Sequence, residues 1–88
     1  MQNTQSIDIH SIFKDKDFIR AVKKVIASKN ASTAFLQKQF GWDYLKAVMY
    51  VEYMIGFGYV SLGVSNRKVL VSLDVFKADA KENFYIND

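Results

Sequence analysis

The chain has 88 residues, half of them apolar and 15% aromatic, with no Cys. A chain of that length holds one domain near the lower limit for an unaided core, and without thiols it has neither disulfides nor a cysteine metal site. The net charge of +3 is uneven: residues 14–46 carry eight Lys or Arg against three acids, whereas residues 74–88 carry two against four. A basic midsection attracts phosphates without specifying a sequence, although Lys23, Lys24 and Lys29 also fit the solvated face of a helix. No run of eighteen apolar residues occurs, and Met1-Gln2-Asn3-Thr4-Gln5-Ser6 is unlike a signal peptide. A cytoplasmic protein without membrane contact is expected.

Residues 1–13 end in Ile7, Ile9, Ile12 and Phe13 and are expected to be a flexible arm with one docked patch. From Asp17, a plausible N-cap, Phe18, Val22, Val25 and Ile26 recur at helical spacing and Lys29-Asn30 closes the last turn. Ser32 or Thr33 can cap a second, short helix with Phe35, Leu36 and Phe40 apolar and Gln37, Lys38 and Gln39 outward. Gly41-Trp42 breaks the run, with Trp42 expected to plug the corner, and Asp43 can cap a third helix through about Ile55. Two helices joined by a short Gly-containing turn follow the helix-turn-helix pattern.

After Gly58 the period changes to alternation. Residues 57–62 and 67–73 are rich in β-branched and aromatic side chains around Gly63-Val64-Ser65-Asn66, which predicts a two-stranded β-hairpin wing. The expected class is α+β, a winged helix over residues 14–73. The C-terminal extension 74–88 is expected to be a short helix or strand that docks back.

A specific set of residues resembles the γ domain at the C-terminus of the FtsK/SpoIIIE DNA translocases. It runs through Phe18, Ala21-Val22, Val25-Ile26, Ala31-Ser32, Leu36-Gln37-Lys38, Phe40, Tyr44, Ala47, Glu52 and Met54 to Gly58, Val60 and Arg67-Lys68-Val69-Leu70-Val71. The resemblance implies a winged helix that binds short directional DNA sequences, steers the motor and contacts a tyrosine recombinase. The chain has no Gly-x-x-x-x-Gly-Lys-Ser/Thr loop, so it is not the motor. Where the family has Gly-Tyr-Asn-Arg and a further Arg at the start of the reading helix, this sequence has Asp43, Tyr44, Leu45, Lys46 and Met49. Arg and Asn discriminate bases through paired hydrogen bonds worth ~1–3 kcal/mol, which Leu and Met do not form.

The expected contacts are therefore to duplex DNA phosphates, through Lys38, Lys46, Arg67 and Lys68 with Gln37 and Tyr44 as neighbours. Leu45, Met49 and Tyr53 recur every four residues beside a core face of Tyr44, Ala47, Val48, Val51, Met54 and Ile55. One helix seldom buries its whole circumference, so the stripe is expected to be exposed and to meet protein, either a second copy in a homodimer or a replication, segregation or recombination protein. No enzyme, cofactor, metal or small-molecule substrate is expected: His10 lacks metal-ligand companions, Asp15 and Asp17 suit a helix start, and Ser32 has no base and suits a cap.

Overall fold

The computed structural model describes the backbone of residues 9–63 and 67–86 and the side chains of residues 11–63 and 67–82. A 3-10 turn, Ile9–Lys14, leads into four helices: α1 (Lys16–Ser28), α2 (Thr33–Phe40), α3 (Tyr44–Gly56) and α4 (Leu73–Ile86). Of the expected arm, residues 1–8 lie outside the described residues, as does the His10 side chain. The docked patch is Ile12 and Phe13, both buried.

Each of the first three helices starts on a side-chain cap that replaces a missing intrahelical acceptor. Asp15 caps α1, its Oδ1 accepting from the Asp17 amide at 2.9 Å and the Phe18 amide at 3.3 Å. The cap is thus Asp15 and not Asp17, whose carboxylate is left free to pair elsewhere. Ser32 Oγ accepts from the Phe35 amide at 3.0 Å, and Asp43 Oδ1 from the Lys46 amide at 2.8 Å. Gly41 ends α2 at φ 69°, a left-handed conformation that a side chain disfavours.

The core forms where the apolar faces meet. Phe18, Ala21, Val22 and Val25 of α1 pack with Leu36 of α2 and with Ala47, Tyr50, Val51 and Met54 of α3. Tyr50 takes the place expected for Tyr44, because positions 47, 50, 51 and 54 form one helical face. Its Oη donates to Asp15 Oδ2 at 2.8 Å, so its hydroxyl is paired. Helix α4 closes the core from the C-terminal side with Phe76, whose ring lies 6.2 Å from Phe13 and 5.6 Å from Tyr59. Tyr59 Oη donates to Asp79 Oδ2 at 2.8 Å and fixes α4 against the end of the preceding segment.

The β-hairpin wing is not formed, and the α+β class expected from alternation gives way to an all-helical structure. Among the described residues there is no strand, only one antiparallel bridge between Val60 and Val69. Two hydrogen bonds frame it, from Leu70 N to Tyr59 O at 2.7 Å and from Ser61 N to Lys68 O at 2.8 Å. Serines at both ends explain why the ladder stops. Ser61 Oγ accepts the Lys68 amide at 2.8 Å in place of a cross-strand carbonyl. Ser72 Oγ accepts the Val75 amide at 3.2 Å, starting α4 where the second strand was expected to continue. Serine side chains compete with ladders in this way, and here they win at both ends. The expected tip, residues 64–66, lies outside the described residues.

Candidate nucleic-acid interface

The helix-turn-helix corner is built on stacked rings. Phe40, the last residue of α2, and Trp42 in the turn lie with ring centroids 4.5 Å apart, and Trp42 reaches Tyr50 at 5.0 Å. Lys46 Nζ sits 5.1 Å from the centre of the Trp42 ring, and the Arg20 guanidinium 5.1 Å from that of Phe40. Asp17 joins the two cations, its Oδ2 meeting Lys46 Nζ at 3.0 Å and its Oδ1 meeting Arg20 Nη1 at 3.2 Å. The hydrogen bond from Lys46 is the main reason that the Asp17 carboxyl is held below its ordinary 3.8. The first-turn lysine of α3 thus ties α3 to α1 and is half-covered rather than directed outward.

The six residues expected to touch DNA fall into four places. Lys38 is exposed on α2 beside half-buried Gln37, and Tyr44 is 62% exposed at the start of α3. Lys46 is in the corner. Arg67 is half-buried, donating Nη1 to Ala31 O at 3.1 Å, and so clamps the loop between α1 and α2. Arg67 and exposed Lys68 line a groove of about 750 Å³ with Ile26, Lys29 and the segment from Val69 to Leu73.

A second groove was not anticipated. Arg20, Lys23, Lys24 and Ala27 of α1 face Gln39 and Phe40 of α2 across about 500 Å³. Lys23 and Lys24 are exposed and follow Arg20 by three and four residues, which places all three on one side of the helix. That spacing is visible in the sequence; that α2 forms the opposite wall is not.

The outer face of α3 differs in kind. Leu45 is 77% exposed and Met49 43% exposed, while Tyr53 is half-buried with its ring 6.2 Å from Phe18. Met49, Glu52, Tyr53 and Gly56 line a shallow hollow of about 410 Å³. The carboxylates of Asp43 and Glu52 are on exposed residues, and the one cation of α3 is Lys46, bound to Asp17. The helix therefore presents apolar and anionic groups where base reading calls for cations and amides.

Among the described residues no group of His, Cys, Asp or Glu is placed to hold a metal ion, and no helix is long and apolar enough to cross a membrane. No curated protein and no solved structure matches the chain. The family model of the FtsK gamma domain matches residues 13–72, which include the 3-10 turn's Phe13, all of α1, α2 and α3, and the bridged segment. That span is well over half of the chain and contains the residues on which the resemblance rested, so the chain belongs to the FtsK gamma domain family.

Proposed function

We propose that this FtsK gamma domain binds duplex DNA through its phosphates and has a binding rather than a catalytic role, in the cytoplasm. The observation that carries this reading is the cationic groove between α1 and α2, with Arg20, Lys23 and Lys24 on one wall and Gln39 and Phe40 on the other; Lys38 is exposed elsewhere on α2. Gln37 on α2 and exposed Tyr44 at the start of α3 are proposed as neutral neighbours of the phosphate path, and Lys68 adds a contact from the bridged segment. Arg20, Lys46 and Arg67 contribute through the frame they hold, because each already has a partner inside the domain, so the phosphate contacts rest chiefly on Lys23, Lys24, Lys38 and Lys68. The α3 face offers no free cation to a base edge, so binding is weak and largely indifferent to sequence. Titration of two unrelated labelled duplexes at two salt concentrations tests this. Equal affinities that fall steeply with salt are expected, and no binding at low salt overturns it.

A second reading has its own observation, the exposure of Leu45 and Met49 beside the hollow at Tyr53. This face suits a protein partner, and a second copy is the simplest one because each copy carries the same patch. Leu45→Glu with Met49→Lys should leave a folded monomer by sedimentation and circular dichroism. A wild-type chain that is already monomeric removes the homodimer and leaves a foreign protein.

A further inference from the structure

The groove beside the bridged segment has an unused main-chain edge. The two hydrogen bonds around the Val60–Val69 bridge belong to Tyr59, Ser61, Lys68 and Leu70, which makes Val60 and Val69 the non-hydrogen-bonded pair of an antiparallel ladder. The amide and carbonyl of Val69 therefore point away from residues 59–61, toward the other side of the segment, and they have no hydrogen bond among the described residues. By the same alternation Val71 faces that side. This edge runs along the groove of about 750 Å³, whose opposite wall is Ile26 and Lys29 at the end of α1.

The charges along the groove are of one sign. Lys29 and Lys68 are exposed at its rim, Arg67 lies at its start, and among the described residues no acidic one lines it. Arg67 gives Nη1 to Ala31 O, while its buried Nε has no partner among the described residues. The buried Nε is out of a guest's reach, but the terminal nitrogens of a guanidinium at the start of the groove suit a carboxylate. Leu70 is 60% exposed and Val71 half-buried, so the apolar lining is open to side chains of a guest strand.

We propose that this groove accepts an extended acidic segment of a partner protein, which adds a strand to the Val69 edge and places a carboxylate on Arg67 between Lys29 and Lys68. Main-chain pairing supplies the register, and the cations select the guest. A second copy of this chain does not meet the requirement through the same edge, since it would bring Lys68 and Arg67 against their own counterparts; lysines at edges repel self-pairing in this manner. From Arg67 to Ser72 the edge spans about 17 Å at ~3.3 Å per residue, which sets the guest at five or six residues. The proposal shares Lys68 with the proposed DNA contacts and is otherwise separate from DNA binding between α1 and α2.

The test is a titration of the full chain, labelled with nitrogen-15, with the capped peptide Val-Glu-Val-Asp-Val-Glu. The expected result is saturable shifts of the Val69 and Val71 amides, lost when the peptide is N-methylated at alternate residues. Lys29→Glu with Lys68→Glu, both at exposed positions, should keep the spectrum of the fold and weaken the peptide by about tenfold or more. Equal binding by the N-methylated peptide rules out strand addition, and equal binding to the charge-reversed variant rules out the cationic selection. Duplex DNA that shifts Val69 and Val71 while the peptide does not would overturn the proposal in favour of a phosphate surface. Shifts at Lys23, Lys24 and Lys38 report separately on the DNA reading.

Discussion

The outer surface of α1 and the outer face of α3 belong to neighbouring helices of one small core, yet they carry opposite chemistry. On α1, Arg20, Lys23 and Lys24 line a groove closed by the end of α2. On α3, Leu45 and Met49 stand exposed between Asp43 and Glu52, and the helix's lysine has turned inward to Asp17. The difference teaches that a helix-turn-helix can keep its frame while its exposed cations lie on the first helix and not on the outer face of the third. The ion pair of Lys46 serves the frame, and the groove of α1 serves the proposed ligand.

The sharpest way to break this contrast is to substitute the two faces of α3 in turn. Met54 is fully buried and Leu45 is not. Met54→Ala should cost about 2–5 kcal/mol in urea unfolding, and Leu45→Ala should stay within about 0.5 kcal/mol. A comparable loss in both variants would mean that Leu45 is covered in solution and that the exposed face needs revision.

A smaller effect separates the buried edge of α3 from its surface. Tyr50→Phe removes the hydrogen bond to Asp15 and should cost about 1–2 kcal/mol, whereas Tyr44→Phe, at an exposed ring, should be silent. Burial first, and then the bond to Asp15, push the Tyr50 phenol well above its ordinary 10.0. A raised folded value means that the stabilisation is complete below pH 10 and is lost as pH rises above it. Wild-type stability should therefore fall more steeply above pH 10 than that of Tyr50→Phe. Parallel alkaline profiles would refute this linkage.

Smaller still is the corner ion pair, because it is half exposed. Lys46→Ala should change stability little and should lower DNA affinity less than Lys23→Ala with Lys24→Ala does. If Lys46→Ala is the more damaging to DNA binding, Lys46 leaves Asp17 to meet phosphate. The linked effect of pH is the smallest. Lys46 holds the Asp17 carboxyl below 3.8, so its contribution is present above that pH and is lost as pH falls through the lowered folded value. Asp17→Asn should therefore flatten the acid limb of the stability profile, and an unchanged limb would show that the pair contributes nothing.

The first three helices were readable because their signals are local, whereas α4 starts within the expected second strand and is the longest helix among the described residues. Ser32 and Asp43 sit immediately before apolar periods, and Gly41 marks the turn. Asp15 and Asp17 were harder to tell apart, since either can cap α1 and only packing against Lys46, 29 residues away, assigns them. The wing failed for a related reason. Alternation around residues 57–73 describes side-chain polarity, but the hydroxyls of Ser61 and Ser72 divert the backbone from a ladder. Among the candidate contacts, the exposure of Leu45 and Met49 followed from helical spacing, but Tyr53 of the same stripe is half-buried against the core beside Phe18. The inward turn of Lys46 and the clamp of Arg67 on Ala31 did not, because both join residues distant in sequence.

The most direct measurement is the salt dependence of duplex binding for three proteins: the wild type, the variant with Lys23, Lys24 and Lys38 each changed to Ala, and the Leu45→Glu, Met49→Lys variant. If phosphates bind along α1 and α2, the triple variant should lose up to about 3 from the log–log salt slope, one for each contact removed, and weaken for all sequences alike. The α3 variant should keep the wild-type slope to within about 1. An unchanged slope in the triple variant, or a collapse of binding confined to the α3 variant, would contradict the placement of DNA on the α1–α2 groove.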